Sequence, residues 1–274
     1  MKHTHGTLNL IFRKRREGRT FLASQHYRLP LQVLTPYYSD GDGTAFVYLL
    51  NPSGGILQGD LLETDILVEK DAKAWVATPS ANKFYRMDEG HATLRNRIRI
   101  EAGGVLEYMP EYNIPFSESA VEQATTFDLD EQAVLIAFDM IVPGRIEKGE
   151  EFQYTRYSSK TKIMVGGKLE AYEYALLEPG KTHPGVVGGL EERRIYGTVF
   201  LYQKNLSQTL KVEVDNWFEN CSGIEGGMTF LSSDLATIKY LGDSVQDCQD
   251  TVHGLWSITR KALLGKECVR IRKY

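Results

Sequence analysis

Three stretches of this chain share one shape. "TDILVEKDAKAWVAT", "NRIRIEAGGVLEYMP" and "TTFDLDEQAVLIAFD" each read as a strand, an acidic turn, a small residue and a second strand. Aligned on Ala72, Gly104 and Ala133, they recur at intervals of 32 and 29 residues. A unit of that length cannot bury its apolar face alone and does so by stacking on the next unit. Plain consecutive hairpins would read similarly. Either way, the first two thirds of the chain are all-β.

The flanking text agrees. From residue 5 to about 190, short apolar or alternating runs such as "GTLNLIF", "AFVYLL" and "DILV" are punctuated by Gly, Asp, Asn and Pro. After about residue 195 the texture changes. "IYGTVFLYQ" reads as a strand, and "SQTLKVEVDNWFENC" as an amphipathic helix capped by Ser207, with Leu210, Val214, Trp217 and Phe218 on one face. "GGMTFLSS" and "LATIKYLG" form a hairpin around Ser233-Asp234. The clearest helix follows, capped by Asp243 or Ser244 and stopped at Gly265. The expected fold is mainly β, a helix-like stack of strands over 1–194. A β-α-β-β-α portion over 195–274, with two helices, packs on it as one structural unit.

Charge narrows the function classes. A formal net charge of -4 gives no general attraction for a phosphate backbone, so no nucleic-acid partner is expected. Arg13-Lys14-Arg15-Arg16 reads as a charged hairpin tip, and Arg95, Arg97 and Arg99 as the solvated face of a strand. Three cysteines, Cys221, Cys248 and Cys268, suit a reducing compartment rather than a disulfide framework. No apolar run approaches the roughly 18 residues of a membrane span. Without a signal-like start, the expectation is a cytoplasmic protein with no membrane partner.

Two nucleotide-loop look-alikes fail on chemistry. "NPSGGILQGD" places four residues between Gly54 and Gly59 but delivers Asp60 and Leu61 where a phosphate binder needs Lys and Ser or Thr. "ALLEPGKT", residues 175–182, fits a relaxed pattern. Leu176, Leu177, Glu178 and Pro179 cannot make a cradle of backbone N–H groups, and Pro179 has none to give. The six histidines show no ligand spacing except His3/His5, in a terminus expected to fray, so no tight transition-metal site is expected.

Carboxylates are the remaining candidates. Asp60 follows a glycine turn, Glu107 interrupts "GGVLEYMPEY", and Glu173 lies in "KLEAYEYALLEP". Asp139 is the sharpest, sharing a pleat face with Leu135, Ala137 and Ile141. An acid there must be paired, protonated or facing water. An ion pair with an arginine such as Arg145, a glycosidase-like carboxylate pair and a polar internal passage all fit.

Four motifs then decide between families. "NPSGGILQGD", "PSANKFYR", "LEYMPEYNIPF" and "FDMIVPGR" occur in the order and near the spacing seen in the urease accessory protein UreD (UreH) family. The chain resembles that family over nearly its whole length. Ser53, Asn82 and Tyr108 depart from common family residues without removing an ionisable group. The resemblance implies a non-enzymatic scaffold that docks on apo-urease and on UreF, which recruits the GTPase UreG for nickel delivery. It implies no tightly bound cofactor, only Ni2+ in transit through an internal passage to which Asp60, Asp139 and Glu173 correspond. Its motif and turn positions here are Gly54, Gly55, Gly59, Lys83 and Tyr85. Glycine turns would present Asp60 to the interior, and oxygen ligands would release a cation that imidazole or thiolate would trap. The motif aromatics would also suit docking faces. Two rivals are a carbohydrate-active β-helical enzyme using two of these acids, and a nucleotide binder through Gly180-Lys181-Thr182.

Overall fold

A computed structural model describes residues 3–182, 184–185, 189–269 and 271. Between residues 45 and 165 the chain winds back and forth between two parallel sheets. Ala45–Leu50, Lys73–Ala77, Val105–Met109 and Val134–Ile141 lie side by side in what becomes the middle layer. Leu61–Val68, Ala92–Ile100, Ala120–Leu129 and Arg156–Val165 form the front layer. Lys73 pairs with Val105, and Val105 with Val134. The 32- and 29-residue intervals are therefore the winding itself, and the parallel stack replaces the alternative of consecutive hairpins.

Antiparallel strands finish each sheet. His5–Lys14 joins the front layer parallel to Leu61–Val68, with Thr20–Arg28 outside it. Lys168–Leu177 closes the opposite edge. On the middle layer, Gln32–Val33 covers one edge. Ile195–Tyr202, Leu235–Gly242 and Ile224–Phe230 extend the other. The strands after residue 195 thus continue a sheet begun at residue 45. His5 starts a strand and its ring meets Glu63 at 2.7 Å, so the fraying expected at the His3/His5 pair is not found at His5.

Two helices make the back layer: α1, Thr209–Glu219, and α2, Val245–Leu264. Layering explains the texture of the strands. Leu61–Val68 alternates because one face meets the middle sheet and the other meets water. Ala45–Leu50 is apolar throughout because it is covered on both faces. Leu8, Phe12, Ile66 and Leu135 fill the core between the sheets. Phe46, Trp75, Ile136, Val199 and Leu255 fill the one under the helices.

Helix α1 buries Leu210, Val214 and Phe218 as expected, while Trp217 is only half-buried, lying against Gly254 of α2. Its cap differs from expectation. Gln208 holds the N-cap position without a side-chain bond, and the Ser207 hydroxyl meets Thr209 instead, at 2.8 Å. In α2, Ser244 accepts from the Asp247 N–H, and Gly265 turns left-handed to stop the helix.

The bland readings of the charged runs hold. Arg15 and Arg19 close the tip between the first two strands. Arg95 and Arg99 face outward against Glu63 and Asp128, at 3.4 and 3.5 Å. "ALLEPGKT" makes no cradle: its strand runs to Leu177, and Lys181 pairs with Glu178 at 3.0 Å. His183 and the stretch 186–188 that follow lie outside the described residues.

Candidate functional site

All four motifs occupy the same corner of the winding. Each follows a middle-layer strand or includes its end, and leads toward a front-layer strand. The corners stack on one another: Ile56 bridges Phe84, Asn82–Phe84 pairs with Asn113–Pro115, and Asn113 pairs with Ile141. The Ile56 N–H donates to the Lys83 carbonyl at 2.8 Å, and the Tyr85 N–H to the Ile56 carbonyl at 2.9 Å. Gly55 is where side chains must be absent, because a Cβ there would sit 1.9 Å from the Tyr85 ring. Gly59, with φ +75°, makes the turn before Asp60. Tyr85 in turn packs edge-on against Phe116, with ring centroids 5.1 Å apart.

Behind this corner, between the sheets, lies a cavity of about 180 Å³. That is well above the roughly 10–15 Å³ one water requires. Its rim includes Asn51, Gly54, Gly55, Ser80 and Lys83, and its interior includes Asn96, Tyr108, Asn113, Gln123, Thr125 and Asp139. Several of these are polar residues on the inward parity of otherwise apolar strands. In the front layer Thr64 pairs with Asn96, Asn96 with Thr125, Thr125 with Thr161, and Thr161 with Glu173. One polar row therefore crosses five strands inside the core. In the middle layer Asp139 pairs with Thr198, and Thr198 with Lys239.

Asp139 is half-buried and borders the cavity. Its carboxylate is held by neutral donors. Asn113 Nδ2 lies 3.2 Å from Oδ1, and Gln123 Nε2 and Ser159 Oγ lie 3.3 and 3.4 Å from Oδ2. The expected partner Arg145 is engaged elsewhere, bonded to Glu150 and lying over the Phe116 ring at 4.5 Å. That reading is corrected for a simple reason: Arg145 sits beyond the strand's end, past the corner. Burial pushes the Asp139 carboxyl up to about 6, with the charge of Glu173 adding and the Gln123 and Ser159 bonds opposing.

The other acids have different settings. Asp60 is buried and spends both oxygens on backbone N–H groups, Oδ1 on Thr4 at 3.1 Å and Oδ2 on Leu57 at 2.9 Å. It braces the turn to the first strand and is outside the cavity lining. Glu173 lies just past Thr161, at the end of the polar row. It accepts from Tyr196 Oη at 2.9 Å and Thr198 Oγ1 at 3.1 Å, and pairs with Lys239 at 2.8 Å. The fold thus links Asp139 and Glu173 through Thr198 and leaves Asp60 apart. Glu107 is a structural anchor for α2, bonded to Trp256 and Arg260.

Sequence reasoning missed Asn113, Gln123, Thr125 and Arg260. Asn113 is the hub of the interior. Its Nδ2 reaches Asp139, Gln123 and Tyr157, and its Oδ1 accepts from Asn82 at 3.0 Å. The available signal was parity: in "AVEQATTFDL", Gln123 and Thr125 share a face with Val121, Phe127 and Leu129.

The family model described as UreD urease accessory protein matches residues 4–273. The chain belongs to the UreD family of urease accessory proteins. A Bacillus cereus urease accessory protein UreD is 28% identical over 274 residues, covering all of both chains. That of Haloarcula marismortui is 31% identical across 98% of this chain and 90% of its own. That of Pseudomonas putida is 33% identical across 91% and 87%. Among the described residues, no helix is long and apolar enough to cross a membrane.

Proposed function

We propose that this UreD-family chain is a non-enzymatic scaffold for urease maturation, working in the cytoplasm. It docks on apo-urease and on UreF, which brings UreG, and its polar interior carries nickel towards the urease active site. The observation that supports conduction is Asp139, a carboxylate beside an internal cavity, held by neutral donors and oxygen-rich neighbours. Such a setting attracts a divalent cation while offering it too few ligands to trap it. Nickel is cargo in this scheme. Asp139 and Glu173 lie along its way, and the buried, fully bonded Asp60 holds the turn beside it.

The scaffold reading predicts that tagged chain captures apo-urease and UreF from purified components, and UreG only when UreF is present. It also predicts restored nickel-dependent urease activity, with no turnover of urea, GTP or polysaccharides by the chain alone. Failure to capture either primary partner would remove the scaffold role.

A further inference from the structure

The interior polar rows end together, and a lysine stands at that end. Glu173 closes the front-layer row, and Lys239 closes the middle-layer row that starts at Asp139. Thr198 joins them: it is the cross-strand neighbour of both Asp139 and Lys239, and its hydroxyl lies 3.1 Å from Glu173 Oε1. The Lys239 ammonium meets Glu173 Oε2 at 2.8 Å and lies 5.6 Å from the Tyr196 ring centre.

Exposure separates the two partners. The Glu173 side chain is 20% exposed, whereas that of Lys239 is 50% exposed on a long stem. The carboxylate is therefore fixed by Tyr196 and Thr198, while the ammonium can swing into water at little cost. A lysine on a fixed, oxygen-only cluster occupies the place where a metal cation would be attracted. The cavity lining reaches Thr161 and Phe200 and stops short of Glu173.

We propose that Lys239 is a tethered gating cation, which occupies Glu173 at rest and yields it to a divalent cation arriving from the Asp139 side. This rests on the conduction reading above and adds a specific device to it. A divalent ion outcompetes a single ammonium for the carboxylate through its greater charge, whereas a monovalent ion does not. Lys239 thereby favours divalent cargo and lets the empty interior close.

The test is nickel binding to the full-length chain by calorimetry, with nickel alone as the probe. Lys239→Met should tighten the apparent Kd by up to about fivefold, the scale expected from removing a half-exposed ammonium from its carboxylate. Lys239→Arg should stay near wild type, and Lys239→Met/Glu173→Gln should lose the gain. If wild type binds too weakly to measure, Lys239→Met should bring binding into range. An unchanged Kd in Lys239→Met, or no binding in either protein, overturns the gate. Lys239→Gln serves as a second neutral variant should Lys239→Met fold poorly. An apo-urease activation assay on Asp139→Asn separates the two ideas. Impaired activation there with no Lys239 effect on binding leaves conduction standing without a gate. Unimpaired activation with unchanged nickel binding removes both.

Discussion

Arg260 Nε lies 2.9 Å from Glu107 Oε2, and both side chains are buried between the middle sheet and α2. The same guanidinium bonds Asp40, and the Trp256 indole N–H donates to Glu107 at 2.5 Å. A lysine, Lys266, joins Asp40 to Asp42. The helix layer is therefore fastened to the winding by a charge cluster joining residues far apart in sequence.

Removing the guanidinium should be worse than removing one carboxylate. Arg260→Met leaves Glu107 and Asp40 without it and is expected to cost about 3–5 kcal/mol. Glu107→Gln, which leaves Arg260 with Asp40, should cost clearly less. Urea denaturation of both variants checks the order, and a smaller loss for Arg260→Met would contradict it.

Asp139 should titrate well above an ordinary aspartate. Its carboxyl moves from 3.8 to about 6 on folding. The folded state therefore binds this proton more tightly than the unfolded one. The resulting stabilisation is full below about pH 4 and is lost as pH rises through about 6, with a ceiling near 3 kcal/mol. Carbon-detected NMR of the Asp139 carboxyl should give a midpoint near 6, unmoved by Arg145→Ala. A midpoint near 4, or a shift on removing Arg145, would show the ion pair that the distances do not.

Gly55 should be intolerant for a specific reason. Gly55→Ala forces a methyl into the Tyr85 ring and should cost about 1–3 kcal/mol. Tyr85→Ala, combined with it, should cancel much of that cost. A double-mutant cycle in thermal denaturation reads the coupling, and strict additivity would place the strain elsewhere.

Ser244→Ala should cost about 1 kcal/mol by releasing the Asp247 N–H. Ser207→Ala should cost less, because Ser207 does not cap α1 in the structure. Equal losses in the two variants would reinstate the cap assigned from sequence spacing.

The contrast between those serines shows what a sequence can carry. Local signals were legible: the repeat was a period, the hairpin at Ser233-Asp234 a turn, and Gly265 a left-handed stop. The inward position of Asp139 was legible as strand parity. Its partners were not, because Asn113, Gln123 and Ser159 arrive from three other strands in a register that only stacking sets. Asp60 is buried, as its place after a glycine turn suggested, but its partners, the backbone N–H groups of Thr4 and Leu57, were not legible. The nearest basic residue in sequence misled for Asp139, since Arg145 lies past the corner and turns to Glu150.

The central claim is that nickel passes Asp139 on its way into urease. The most direct measurement is nickel bound per active site in apo-urease, after incubation with UreF, UreG, GTP and either wild-type chain or Asp139→Asn. Capture of urease and UreF by the variant is checked in parallel. The account predicts retained capture with at least about tenfold slower nickel loading, the scale seen when groups that support a metal's ligands are altered. Loading at the wild-type rate by a variant that still captures both partners would contradict it.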